Sequence, residues 1–227
     1  MPMIEWEVTN FPVPYEVSVE TMEQRAEAIR AGTARELVWL LEHPPIYTRG
    51  TSASDKELLR KPKFPVFNTG RGGRYTYHGP GQRVIYVMLD LRHHGSDVRS
   101  YVQKLEQLLI DSLADCGINA ERRSGRIGIW VSRDNGCEEK IGAIGVRIRR
   151  WVSFHGASLN VDPNLGDYND IIPCGVSNYG VTSICDLGLA VEMSDVDSIL
   201  RKNFENIFGA TVDTNEPIIT NMRRHFP

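Results

Sequence analysis

Arg71-Gly72-Gly73-Arg74-Tyr75-Thr76-Tyr77-His78-Gly79-Pro80-Gly81-Gln82 leads, past Arg83, into Val84-Ile85-Tyr86-Val87-Met88-Leu89. The second half is a short continuous apolar run behind turn residues, the pattern of a buried strand. The first half sets backbone-permissive residues around a cation, two phenols and an imidazole. Glycines ahead of a strand let the main chain approach a ligand closely, or take positive φ, without steric penalty. The stretch therefore reads either as a pocket wall carried on a core strand or as an ordinary glycine-rich turn.

The chain has 227 residues, 41% hydrophobic and 24% charged, with a formal net charge of −3. Those values fit an ordinary globular chain, expected to form one domain over residues 1–227 without a metal or disulfide staple. A slightly acidic balance carries no nucleic-acid signature. No apolar run approaches 18 residues, so no membrane-spanning segment is expected. Glu5, Glu7, Glu16 and Glu20 stand where a basic and then apolar leader would be, and the expected location is the cytoplasm.

Mixed helical spacing predicts a first helix over 15–31, and Leu37-Val38-Trp39-Leu40-Leu41 a strand ending at His43-Pro44-Pro45. The segment 48–54 reads as loop. Val98, Tyr101, Leu105, Leu108, Leu109 and Leu113 recur at intervals of three and four, predicting a helix that Gly117 stops. Strands are expected over 126–131, 140–151 and 153–161, and a last helix from about Ser194 to Gly209. Strands interleaved with a few long helices, without regular alternation, indicate an α+β fold with a mixed, largely antiparallel sheet.

Of the four cysteines, Cys116 sits on the apolar helical face and Cys137 in an acidic turn. Cys185 reads as structural. Cys174, between Pro173 and Gly175, lies in an irregular segment with room for a carbonyl beside it. A thiol there is either a nucleophile, which needs a nearby cation or base, or a buried free thiol. Lys140, followed by Gly142 and Gly145, is a candidate cation that could later act as general base. Its bland reading is a solvated surface lysine. Arg147, Arg149 and Arg150 form a basic stripe, ordinarily solvated, that could alternatively receive an acidic carrier protein. His78 and His155 complete the candidate groups. No G-x-x-x-x-G-K-[ST] or G-x-S-x-G element is present.

In order along the chain, Arg71-Gly72-Gly73 with Thr76 to Gln82, Lys140-Ile141 with Gly145-Val146-Arg147, Phe154-His155-Gly156 with Leu159-Asn160, and Pro173-Cys174-Gly175 resemble the lipoyl(octanoyl) transferases. His43-Pro44-Pro45 and Val181-Thr182-Ser183 extend the likeness over roughly residues 43–187. Arg83 replaces a usual aliphatic residue and Arg74 is a less usual choice, so either could alter docking or pocket polarity. The resemblance implies a biotin/lipoate protein ligase-like fold. It implies transfer of octanoate from acyl carrier protein to a lysine of lipoyl domains, those of 2-oxoacid dehydrogenases and the glycine-cleavage H protein; a monomer is the expected state. No metal, nucleotide or other cofactor is implied. Cys174 becomes the acyl-thioester nucleophile, and Lys140 the group that promotes its thiolate and then deprotonates the acceptor. Arg71, Gly72, Gly73, Arg74, Tyr75, Thr76, Tyr77, His78, Ala143, Ile144, Gly145, Gly156, Ala157 and Ser158 would line the acyl pocket. An ATP-dependent lipoate or biotin ligase of the same fold, which needs no Cys174, is the enzyme alternative. A non-catalytic carrier-protein module using the basic stripe is the other.

Overall fold

The structure, a computed structural model, describes residues 3–172 and 179–219. In chain order the elements are β1 (Ile4–Pro12), α1 (Tyr15–Ala31), β2 (Leu37–Glu42), β3 (Ile46–Arg49), β4 (Val66–Asn68), β5 (Tyr75–His78), β6 (Gln82–Met88), α2 (Val98–Asp115), β7 (Ala120–Arg123), β8 (Arg126–Ser132), β9 (Glu138–Arg149), β10 (Val152–Asn160), β11 (Gly180–Val181), α3 (Met193–Phe208) and β12 (Thr211–Asp213).

Period-2 alternation sorts the central strands between two apolar layers. Leu37, Trp39 and Leu41 of β2, with Val84, Tyr86 and Met88 of β6, meet Met22, Ala26 and Ile29 of α1. The intervening Val38, Leu40, Ile85 and Val87 meet the apolar stripes of α2 and α3. Both faces are covered, which is why these strands read as unbroken apolar runs. The large sheet is ordered β12-β1-β2-β6-β10-β9-β8-β7, with β11 added on β9. Pairings from β2 through β6, β10, β9 and β8 to β7 are antiparallel, while β1 is parallel to β2 and β12. This is the mixed, largely antiparallel sheet expected. A smaller sheet, β4-β3-β5, lies beside it.

Helix ends follow local chemistry. The Asp97 carboxylate accepts from the backbone N–H groups of Arg99 and Ser100 at 2.8 and 3.1 Å, capping α2. Gly117, at φ +82°, follows that helix as a left-handed stop.

Two expectations are corrected. Thr48 and Arg49, read as loop, belong to β3, where they pair with Thr76 and Tyr75 of β5; the neighbouring polar Thr-Ser run masked so short a strand. Arg83 does not reach the pocket. It is buried and holds Asp197 of α3 through Nε–Oδ1 at 2.8 Å and Nη2–Oδ2 at 2.9 Å, so it fastens α3 to the sheet. The basic stripe is also engaged, since Arg147 and Arg149 form ion pairs with Glu23 and Glu27 of α1.

Candidate active site

Where β10 crosses β9, Gly156 stands opposite Gly145. Two facing glycines remove the side chains that would fill the space between sheet and loop. A Cβ on Gly156 would come within 2.2 Å of the Ile85 carbonyl oxygen, and one on Gly145 within 2.9 Å of Arg71 Cδ. Above the pair lies a cavity of about 390 Å³. The loop 71–74 and β5 form its roof, Ala143, Ile144 and Gly145 one side, and Gly156, Ala157 and Ser158 the other.

Arg71 holds that roof. Its Nη2 donates to the Thr48 carbonyl (3.0 Å), Thr48 Oγ1 (2.6 Å) and the Arg74 carbonyl (3.0 Å), and Nη1 to the Gly72 carbonyl (2.9 Å). Gly72 N–H donates to the Val146 carbonyl at 3.0 Å, clamping the loop to β9.

Strand alternation decides which residues of β5 reach the cavity. Thr76 and His78 face it. Tyr75 and Tyr77, expected to line it, face the other way into a cluster with Tyr47, Tyr168 and Ile171. There the Tyr47 phenol donates to the Asp167 carbonyl at 2.7 Å. Gly72 is likewise absent from the lining, acting through its backbone. Arg71, Gly73, Arg74, Thr76, His78 and the β9 and β10 residues named above do line it.

Lys140 sits in an adjoining crevice with Thr76, Ala143, Ser158, Asn160, Tyr168 and Val181. Thr76, Ala143 and Ser158 border both spaces. A bulge aims this lysine: Ile129 pairs with Gly142 but Trp130 with Lys140, which leaves Ile141 as the extra residue of β9. Lys140 is 5% exposed, so the surface-lysine reading fails. Its Nζ donates to the Ile127 carbonyl at 2.8 Å and lies 5.8 Å from the Trp130 ring centroid.

Gly128 makes room for that stem. It has φ +116°, and a Cβ there would stand 2.2 Å from Lys140 Cε. Gly128→Ala is therefore expected to displace the ammonium and, on the reading that Lys140 takes part in the chemistry, to lower kcat by about tenfold or more. Steady-state kinetics beside a thermal melt check this, with kcat falling further than the folded fraction.

The inner end of the cavity is a set of buried rings that sequence patterns did not assemble: Tyr15, Tyr86 and His155, with His43 in ring contact with the first two. His43 Nδ1 lies 2.6 Å from the Val13 carbonyl and so carries the proton, which makes Nε2 the acceptor for the Tyr86 hydroxyl at 2.7 Å. His78 Nδ1 likewise faces Gln82 Oε1 at 2.6 Å. Burial pushes the His43 pKa down to about 4, opposed by its bond to Val13. Burial, then Arg71, Arg147 and His43, lowers His155 to about 3, and burial with His43 holds His78 well below its usual value. Burial raises the Tyr15 phenol to about 12. The end wall is thus uncharged at neutral pH.

His155 has φ +59°, rare for a residue with a Cβ. Its ring stacks on that of Phe154 with centroids 5.5 Å apart. Consecutive residues of a regular strand point to opposite faces; the left-handed turn at His155 breaks that alternation.

A polar network ties the cavity to the crevice. Gln82 Nε2 donates to Asn160 Oδ1 at 3.0 Å, Asn160 Nδ2 to the Thr182 carbonyl at 2.9 Å, and Thr182 N–H to the Lys140 carbonyl at 2.9 Å. Cys174 lies outside the described residues. Of the described thiols, Cys137 is exposed, while Cys116 and Cys185 are half-buried with their pKa values raised chiefly by burial.

Residues 14–205 match the family model of the lipoyl protein ligase A/B catalytic domain. The octanoyltransferase of Parvibaculum lavamentivorans is 59% identical over 208 residues, 90% of this chain and 92% of that protein. The chain belongs to the octanoyltransferase family. The octanoyltransferase of Paramagnetospirillum magneticum is 57% identical, over 91% of this chain and 98% of its own. Membership makes the protein an acyltransferase. Among solved structures, the bipartite lipoate protein ligase of Thermoplasma acidophilum superposes with TM-score 0.69 at 16% identity, covering 94% of this chain and 88% of that one. A lipoate-protein ligase A bound with ATP gives 0.65 at 17% identity, covering 93% and 90%. These likenesses concern the fold, which is that of the lipoate ligases. No helix among the described residues is long and apolar enough to cross a membrane.

Proposed function

We propose that this octanoyltransferase takes an octanoyl group from octanoyl-acyl carrier protein and passes it, through a thioester on Cys174, to the acceptor lysine of lipoyl domains, including those of 2-oxoacid dehydrogenases and the glycine-cleavage H protein. The observation that carries the reading is the pairing of a cavity, walled by glycines, Ala143, Ala157 and uncharged rings at its inner end and by Arg71, Arg74 and Arg126 elsewhere, with a buried lysine at its flank. Tyr168 and Val181, which precede and follow Cys174 in the sequence, both line the Lys140 crevice.

In the first step the Cys174 thiolate attacks the thioester carbonyl. The cysteine S–C bond forms, the pantetheine S–C bond breaks, and the departing thiolate takes a proton from the Lys140 ammonium, which leaves that amine neutral. In the second, the acceptor amine attacks the acyl-enzyme carbonyl. An amide forms, Cys174 leaves as thiolate, and Lys140 accepts the amine's proton. Thioester exchange is nearly balanced, while amide formation runs downhill. Nothing in the sequence of steps draws on a metal or nucleotide.

Octanoyl-acyl carrier protein without ATP is expected to acylate a lipoyl domain, and free octanoate with ATP is not. Mass spectrometry of the domain reads both. Acylation that requires ATP and free acid would instead support the ligase chemistry of the solved structural relatives.

A further inference from the structure

Exposure changes along the cavity. Ser52, Arg74, Gly125 and Ile127 are exposed at one end, with Ile127 beside the Lys140 ammonium. At the other end Tyr15, Tyr86 and His155 are buried. Reacting carbonyl and hydrocarbon tail are thereby assigned opposite ends. Behind the buried end is a second space of about 520 Å³, a groove between α1 and residues 67–70 in which Val19 and Phe67 lie among Glu16, Glu20, Glu23, Glu27 and Arg147. Tyr15 and His155 border both spaces. The rings between them are in edge or tilted contact, Tyr15–His43 at 5.5 Å, His43–Tyr86 at 5.8 Å and Tyr86–His155 at 5.9 Å. Tyr15 also rests on Phe67 of the groove, 5.1 Å away.

We propose that the Tyr15–His155 partition sets the upper length of the acyl group by closing the cavity against the α1 groove. The inference rests on the reading that the cavity holds the acyl chain. A closed wall excludes extra methylenes by steric conflict, and removing a ring from it relieves that conflict. The backbone at His155 explains why a ring can reach the partition at all: the left-handed residue turns the side chain toward Tyr86 and away from its regular strand position. Tyr15 arrives from the other side as the first residue of α1.

The test compares kcat/KM for dodecanoyl- and octanoyl-acyl carrier protein in the native chain, Tyr15→Ala and His155→Gly. Each variant is expected to raise the dodecanoyl-to-octanoyl ratio by about tenfold or more. Glycine suits the φ at His155, so the second variant keeps the comparison available if Tyr15→Ala does not fold. Unchanged ratios in folded variants, or loss of octanoyl transfer without gain of dodecanoyl transfer, would overturn the proposal. Failure of the native chain to use any acyl carrier protein thioester would instead overturn the reading of the function.

Discussion

Lys140→Met is expected to lower octanoyl transfer to a lipoyl domain by about 10²- to 10⁴-fold, the range for losing a positioned general base. Methionine keeps an unbranched stem against Trp130 and deletes the ammonium, so packing is disturbed less than by alanine. The loss should fall on kcat, because Lys140 lies in the side crevice and not in the main cavity proposed to hold the acyl chain. Lys140→Arg should fare no better, since a guanidinium keeps its proton and does not fit the space left by Gly128. The measurement is single-turnover acylation of the domain from octanoyl-acyl carrier protein. A methionine variant within about tenfold of native would remove Lys140 from the chemistry.

Acid is expected to destabilise the protein well above the pH at which carboxylates titrate. His43, His78 and His155 are buried and neutral, with folded pKa values below the ordinary 6.5. The unfolded chain therefore binds more protons below that value, and stability falls as pH drops. Their contribution is fully present above pH ~6.5 and is lost on the way down toward the folded values. At pH ~5, each of the two histidines at about 4 and about 3 costs roughly 2 kcal/mol, and His78 adds to the loss. Urea midpoints from pH 7.5 to pH 5 check the slope at about those pH values. A midpoint that holds steady across the range would mean that these imidazoles are already protonated or solvated in the native state.

The central fold was legible because its signals are strong and local. β2 and β6 bury both faces, and α2 and α3 carry single apolar stripes ended by Gly117 and Gly209. β1 was harder to see. Ile4, Trp6 and Val8 do alternate with Glu5 and Glu7, but three apolar residues among carboxylates at a chain end make a weak strand signal. In the cavity, the glycines at 145 and 156 marked themselves by type, because a close approach leaves few other choices. The outward turn of Tyr75 and Tyr77 depends on β5 being a strand, which the surrounding glycines concealed. Lys140 is aimed by a bulge, and a one-residue register shift has no sequence signature of its own. Tyr15, His43 and Tyr86 come from three separate elements, so their meeting is a property of the fold alone.

The proposed chemistry turns on Cys174, and intact mass tests it most directly. The native chain is mixed with octanoyl-acyl carrier protein in the absence of ATP and of any lipoyl domain, with Cys174→Ala beside it. A gain of about 126 Da on the native chain, lost when a lipoyl domain is added and never seen with the variant, is the predicted result. Acylation of a lipoyl domain by both proteins, with no adduct on either, would contradict the thioester route and mean direct transfer from carrier to lysine.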